Sequence, residues 1–278
     1  MTGSVDRGNP DGGVGRRGFS CLVLAFVLSM AVGVVGLILV AGVLMPGACG
    51  CTSTPDPNWT PPPVTASEAA GYAAKMAGVP SMSADLSGGP DGRSYYVATA
   101  TDAVAFVDAV SGSVVEVVLE DRMPNDAKVS ISGAEALAAA QVFLQQRMSD
   151  TGLVASSRAI TVAEVAAYMI TLSDAGGTAK LEIAVNASTG DVFAYADLRA
   201  QINVTLPLVG RTRATELAIA ALGVPGETVT SAELAIDLAT SSWDIGLGVP
   251  TATQADVFEH GAFIRVDAVT GLATIVKS

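Results

Sequence analysis

The sequence predicts an α+β protein: an N-terminal transmembrane helix, then tandem small units, each with one helix packed on an antiparallel β-sheet. Three observations predict it. An uncharged apolar span runs from Phe19 to Met45. A strand-turn-strand phrase recurs as Val107-Asp108-Ala109-Val110-Ser111-Gly112, Val185-Asn186-Ala187-Ser188-Thr189-Gly190 and Val266-Asp267-Ala268-Val269-Thr270-Gly271. Upstream of each phrase lies an alanine-rich stretch of helical character: Thr65-Ala66-Ser67-Glu68, Ser132-Gly133-Ala134-Glu135 and Arg213-Ala214-Thr215-Glu216.

The turn chemistry is the same in each copy. Asp108, Asn186 and Asp267 can accept a hydrogen bond from a backbone N–H two residues on, while Gly112, Gly190 and Gly271 take the positive φ that closes the turn without a Cβ penalty. The helix starts are marked as well. Thr65 with Glu68, and Ser132 with Glu135, have the spacing of a capping box, in which the hydroxyl caps the helix and the carboxylate reaches back to the cap's own N–H. In the third copy Glu216 is matched to these glutamates, Arg213 stands where the cap belongs, and Thr212 is the substitute one residue early.

Taken in order, residues 1–17 are Gly-rich and polar and read as a disordered cytoplasmic tail. Residues 18–45 are the transmembrane helix, longer than the roughly 20 residues a bilayer requires. Arg7, Arg16 and Arg17 precede it, which places the N-terminus in the cytoplasm and the rest outside, by the positive-inside tendency. The Arg16-Arg17 pair is read as a topology determinant rather than an export signal. The span exceeds the core of a cleaved signal peptide. The alternative anchor is a lipoprotein modified at Cys49, with the small Ala48 before it and Pro46 where such a signal wants leucine. Residues 46–63 form a Pro-rich stalk, extended and semi-rigid.

The folded remainder divides into units at 64–122, 129–199 and 206–278. In the first, Ala69, Tyr72, Ala73 and Met76 form the helix stripe, Gly78 and Pro80 end the helix, and residues 87–92 are a loop before strands near 94–99, 104–109 and 114–119. In the second, Leu137, Ala140 and Leu144 form the stripe, and Asp174-Ala175-Gly176-Gly177 joins strands at 167–172 and 180–186. Leu181, Ile183 and Val185 alternate with Lys180, Glu182 and Asn186, which predicts one wet sheet face. Units this small gain only marginal stability from burial alone, so they are expected to pack against one another.

Composition narrows the function. With 27 Asp/Glu against 15 Lys/Arg the net charge is −12, which argues against nucleic acid, since phosphate binding needs a basic surface. Three cysteines, Cys21, Cys49 and Cys51, provide no disulfide framework. No Gly-x-Ser-x-Gly elbow occurs, and the one histidine, His260, sits at an expected hairpin turn, so no hydrolytic triad can be assembled. Cys49 and Cys51 form a Cys-x-Cys pair that could bind a soft metal or bridge two chains, but other ligands are lacking nearby, and no cofactor or metal is expected.

The acidic residue opening an alanine-rich helix, followed by a sheet whose penultimate strand ends Val-Asp-Ala-x-Thr-Gly, resembles the PepSY domain family. Glu68, Glu135 and Glu216 with the three turns carry the resemblance, with Asn186 for Asp and Ser111 for Thr as departures. The first unit is shorter than the others. The resemblance implies a non-enzymatic extracytoplasmic module that binds or restrains an envelope peptidase. It also implies a protein or peptide as partner beside the membrane. The alternative is a structural or sensory membrane protein that mediates assembly of an envelope complex.

Overall fold

The computed structural model describes residues 61–89, 92–148, 152–200, 204–223, 228–237, 240–248 and 262–277. The expected tail, membrane span, most of the stalk, the three cysteines and His260 lie outside them. Among the described residues no helix is long and apolar enough to cross a membrane.

Three times the chain runs helix, then four strands. Helix α1 (Ala66–Ala77) is followed by β1 (Ser83–Gly88), β2 (Ser94–Ala100), β3 (Ala103–Asp108) and β4 (Val114–Leu119). Helix α2 (Gly133–Arg147) precedes β5 (Val154–Val162), β6 (Val165–Ser173), β7 (Ala179–Asn186) and β8 (Val192–Asp197). Helix α3 (Arg211–Leu222) precedes β9 (Thr228–Asp237), β10 (Thr240–Gly248), β11 (Ala262–Asp267) and β12 (Ala273–Lys277). Each set of four is an antiparallel meander. The first two meanders join through β4 and β8 into one sheet of order β1-β2-β3-β4-β8-β7-β6-β5, and the third stands as β12-β11-β10-β9.

Strands β1 and β5 were not expected from the sequence, and the first unit has the same four strands as the others. The reason is positional. Both are outer strands, exposed along most of their length, so neither Ser83–Gly88 nor Val154–Val162 carries the alternation that a half-buried strand requires.

The helix stripes also shift. Ala69, Ala73, Ala74, Met76 and Ala77 of α1 are buried, whereas Tyr72 is 46% exposed and turns out toward Gly112. In α2 the buried set is Ala136, Ala140, Phe143 and Leu144, with Leu137 only half-buried. Alanines at the centre of each stripe let the helix lie close on the sheet, and the larger Met76, Phe143 and Leu144 fill the space toward its C-terminal end. Gly78 and Gly223 close α1 and α3 in the left-handed conformation, at φ 73 and 70.

Two cores result. One lies between α1, α2 and the facing side of the large sheet, where Ala105, Val117, Ile170, Ile183 and Tyr195 are buried. The other includes the reverse side of that sheet and the third unit: Phe106, Val118, Met169 and Ala184 belong to the same cluster as Leu206, Leu208, Trp243 and Ile264. The sheet face expected to be wet is therefore largely covered. Asn186 is only 6% exposed, with its Nδ2 against Arg122 O, and Ala184 on the same face belongs to the cluster shared with the third unit, cover that alternation within β7 cannot reveal.

Candidate functional site

The three turns are built alike. Asp108 Oδ1 accepts from Val110 N (3.0 Å) and Ser111 N (2.7 Å), Asn186 Oδ1 from Ser188 N (2.9 Å), and Asp267 Oδ1 from Val269 N (2.9 Å) and Thr270 N (2.7 Å). Gly112, Gly190 and Gly271 have φ of 73, 84 and 75 and donate back to residues 108, 186 and 267. Asn186 gains what an aspartate could not: its Nδ2 donates to Arg122 O at 3.0 Å, tying the second unit to the end of the first. Each turn also holds the start of its own helix. Ala109, Ala187 and Ala268 accept from Val64 N, Ile131 N and Val209 N, the residues just before the three helix caps.

A third repeated element was missed in the sequence. Tyr96 OH donates to Val64 O (2.8 Å), Tyr168 OH to Ile131 O (3.0 Å) and Trp243 Nε1 to Val209 O (2.7 Å). One aromatic donor on the second strand of every unit thus fastens the residue before the cap. The substitution of Trp for Tyr preserves the donor but hides the pattern.

Thr65 and Ser132 cap α1 and α2 with full capping boxes: Glu68 and Glu135 accept from the cap N–H at 2.9 and 2.7 Å. These hydrogen bonds, chiefly the backbone one, hold both carboxyls below the usual carboxylate range. A folded-state value below the unfolded one contributes stability that is complete above the ordinary carboxylate range and fades as pH falls through the lowered value. Amides in the first turns of α1 and α2 are expected to lose exchange protection between pH 6 and pH 3, with Glu68→Gln and Glu135→Gln flattening the response. The two glutamine variants are the control. Equal loss in them would place the cause elsewhere.

Helix α3 has no box. Glu216 does not cap it, and neither does Thr212; the N-cap is Gly210, with no side-chain bond of its own. Counting from the caps, Arg213 occupies the position of Glu68 and Glu135, and Glu216 lies one turn further on, accepting from Arg213 Nη1 at 2.8 Å. The missing cap comes from the connection between the first two units. Asn125 Oδ1 accepts from Thr212 N (3.0 Å) and Arg213 N (3.3 Å), and Gly210 N donates to Pro124 O (2.9 Å). Arg213 then crosses to the β5–β6 turn, giving Nε to Ala163 O (2.8 Å) and Nη2 to Glu164 (2.5 Å). Ala163 and Glu164 both have positive φ, 49 and 59, an unusual pair of non-glycine residues for such a turn. Arg211 meets Glu120 at 2.8 Å, and burial raises the Glu120 pKa against the opposing pull of Arg211. The start of α3 is thus a docking point rather than a free terminus.

The turns and caps are fastenings inside each unit, and the structure does not bring them together as one site. Among the described residues no group of three or more His, Cys, Asp or Glu side chains could hold a metal ion. A cleft between the first two units is lined by Arg93, Asp108, Ser111, Asp197 and Arg199. Its cations are engaged: Arg93 Nη1 donates to Ala200 O (2.8 Å) and Arg199 forms a two-point contact with Asp197. This is bracing.

The open sheet edges are the surfaces with unused capacity. They are β1, β5 and β9, the first strands of their units, and β12. Of the first strands, β1 carries Asp85 and β9 carries Glu233 and Asp237, whereas the charge on β5 is a lone cation, Arg158. Strand β5 has nine residues in unbroken register with β6. Because the two-residue turn closes on the Val162–Val165 pair, alternate residues bond to β6, and Ala155, Ser157, Ala159 and Thr161 direct their N–H and C=O groups outward. Arg158 is exposed and has no hydrogen-bond or ion-pair partner among the described residues, unlike the other described arginines.

No family model matches the chain, and no curated protein matches it. Two solved structures resemble it distantly. The C-terminal domain of YpeB from Bacillus megaterium is 14% identical, with 77% of this chain and 97% of that chain covered, at a TM-score of 0.37. A candidate lipoprotein from Clostridium difficile 630 is 16% identical over 51% of this chain and 91% of that chain, at a TM-score of 0.20.

Proposed function

We propose that this chain is a non-enzymatic, extracytoplasmic binding module of PepSY type. It is held by a single membrane span with the N-terminus in the cytoplasm, and it takes up an extended segment of a protein partner along β5. The PepSY resemblance suggests an envelope peptidase as that partner. The observation that carries the reading is the β5 edge itself: four outward N–H and C=O pairs in regular register, small side chains, and an exposed Arg158 with no partner among the described residues. Main-chain pairing along an edge supplies affinity, and the alternating side chains supply selectivity.

The test places the full chain in membranes with each co-resident envelope peptidase in turn. At least one peptidase is expected to be slowed. Ala159→Pro removes an outward donor without touching the β6 ladder and is expected to weaken the effect about tenfold, as one or two lost hydrogen bonds would. Arg158→Glu is expected to weaken it as well, with the circular dichroism of both variants unchanged. No slowing of any peptidase, together with no crosslink from β5 to an envelope protein, would overturn the reading.

A further inference from the structure

Strand β12 is the last strand of the third unit, as β4 and β8 are of the first two. Counting back three residues from the turn aspartate or asparagine gives Ala105, Ile183 and Ile264, whose partners on the last strands are Val117, Tyr195 and Ile275. These three are equivalent positions. In the large sheet they meet: Val117 is paired directly with Tyr195 at the centre of the β4–β8 seam, flanked by Glu116 with Ala196 and Val118 with Ala194. The seam is therefore a near two-fold arrangement of two units joined through their last strands.

That joint buries apolar side chains that a lone unit leaves open. Val117 and Tyr195 are each 1% exposed, whereas Ile275 is 46% exposed and its neighbour Val276 54%. The helices tell the same story. Met76 and Phe143, eleven residues past their caps, are buried beside the seam, and Arg147 of α2 reaches Met76 O of α1 at 2.8 Å. The equivalent of Met76 and Phe143 in α3, Ala221, is exposed, and Leu222, the equivalent of the buried Ala77 and Leu144, is only half-buried. The last-strand edge of the third unit is thus left with exposed apolar side chains at positions that, in the first two units, the neighbouring unit covers.

We infer that β12 is a self-pairing edge. Two copies of this chain join β12 to β12 antiparallel, with Ile275 opposite Ile275 of the partner subunit, reproducing in the third unit the seam that β4 and β8 form within the chain. A two-fold through Ile275 sets no charged residue against its own copy. Strand β5 is unsuited to the same role, because a two-fold through its middle residue would oppose Arg158 to itself. Strand β12 belongs to the other sheet from β5, although the Gly271 turn that leads into it abuts Ala163 just beyond the end of β5.

The experiment uses the full chain in detergent micelles, with Cys21, Cys49 and Cys51 replaced by serine. Ile275→Cys is expected to give a disulfide-linked dimer on mild oxidation, while Thr240→Cys, exposed on β10, does not. Light scattering is expected to give a polypeptide mass twice the 28.0 kDa of one chain for the parent, and one chain for Ile275→Lys with unchanged circular dichroism. A single-chain mass for the parent at tens of micromolar overturns the inference. So does a cysteine at 275 that links no faster than one at 240, or one that links in cells to a different protein instead.

Discussion

Serine at position 210 is expected to destabilise the protein by about 1–3 kcal/mol, the usual cost of forcing atoms into a filled contact. The repeat alone points the other way: Thr65 and Ser132 occupy this position in the other units, and a hydroxyl cap is generally worth about 1 kcal/mol. The backbone at Gly210 is ordinary extended chain, φ −76, so conformational freedom is not the issue. Space is. A Cβ there would lie 2.5 Å from Asn125 Oδ1 and 2.7 Å from Pro124 O, and the second of these is main chain that cannot swing aside. The new hydroxyl would also compete with Asn125 for the same α3 amides. Denaturant unfolding of Gly210→Ser, Asn125→Ala and the double variant measures this. The double variant is expected to be more stable than the sum of the singles, because removing Asn125 relieves part of the collision. A Gly210→Ser protein at least as stable as the parent would show that α3 is not docked through this contact.

That example also shows what the sequence discloses. The turns around Asp108, Asn186 and Asp267 and the capping boxes at Thr65 and Ser132 are legible because every atom they need lies within four residues. The start of α3 is illegible for the opposite reason. Its cap is Asn125, 87 positions before the amide it accepts from, and Arg213, which looks like a failed cap, has been turned to a different task on Ala163 and Glu164. Matching Glu216 to the other glutamates followed the local pattern and displaced the helix start by one turn. The seam between β4 and β8 is hidden similarly, since Val117 and Tyr195 read as ordinary core residues of separate units. Arg158, central to the proposed edge, sits in a strand with no alternation to announce it.

Removing the indole at position 243 should have the largest effect of any single side chain considered, about 3–5 kcal/mol for Trp243→Ala. Trp243 is fully buried in the core shared by the third unit and the reverse face of the large sheet, so its loss leaves a cavity walled by more than one unit. Its Nε1 secures Val209 O at 2.7 Å, just before Gly210, and Arg211 lies over its ring at 5.7 Å while bonding Glu120 of the first unit. The residue therefore joins the helix start, the third sheet and the first unit. Trp243→Phe separates the packing from the hydrogen bond. It keeps an aromatic ring but leaves the carbonyl of the fully buried Val209 without its donor, at a cost of about 1–3 kcal/mol. Tyr96→Phe and Tyr168→Phe delete the equivalent donors where the bond is only partly buried, and each should cost about 0.5–1.5 kcal/mol. The order expected in denaturant unfolding is Trp243→Ala, then Trp243→Phe, then the two tyrosine variants. If Trp243→Phe proved no worse than Tyr96→Phe, the third fastening would be a local clasp like the other two rather than a joint between units.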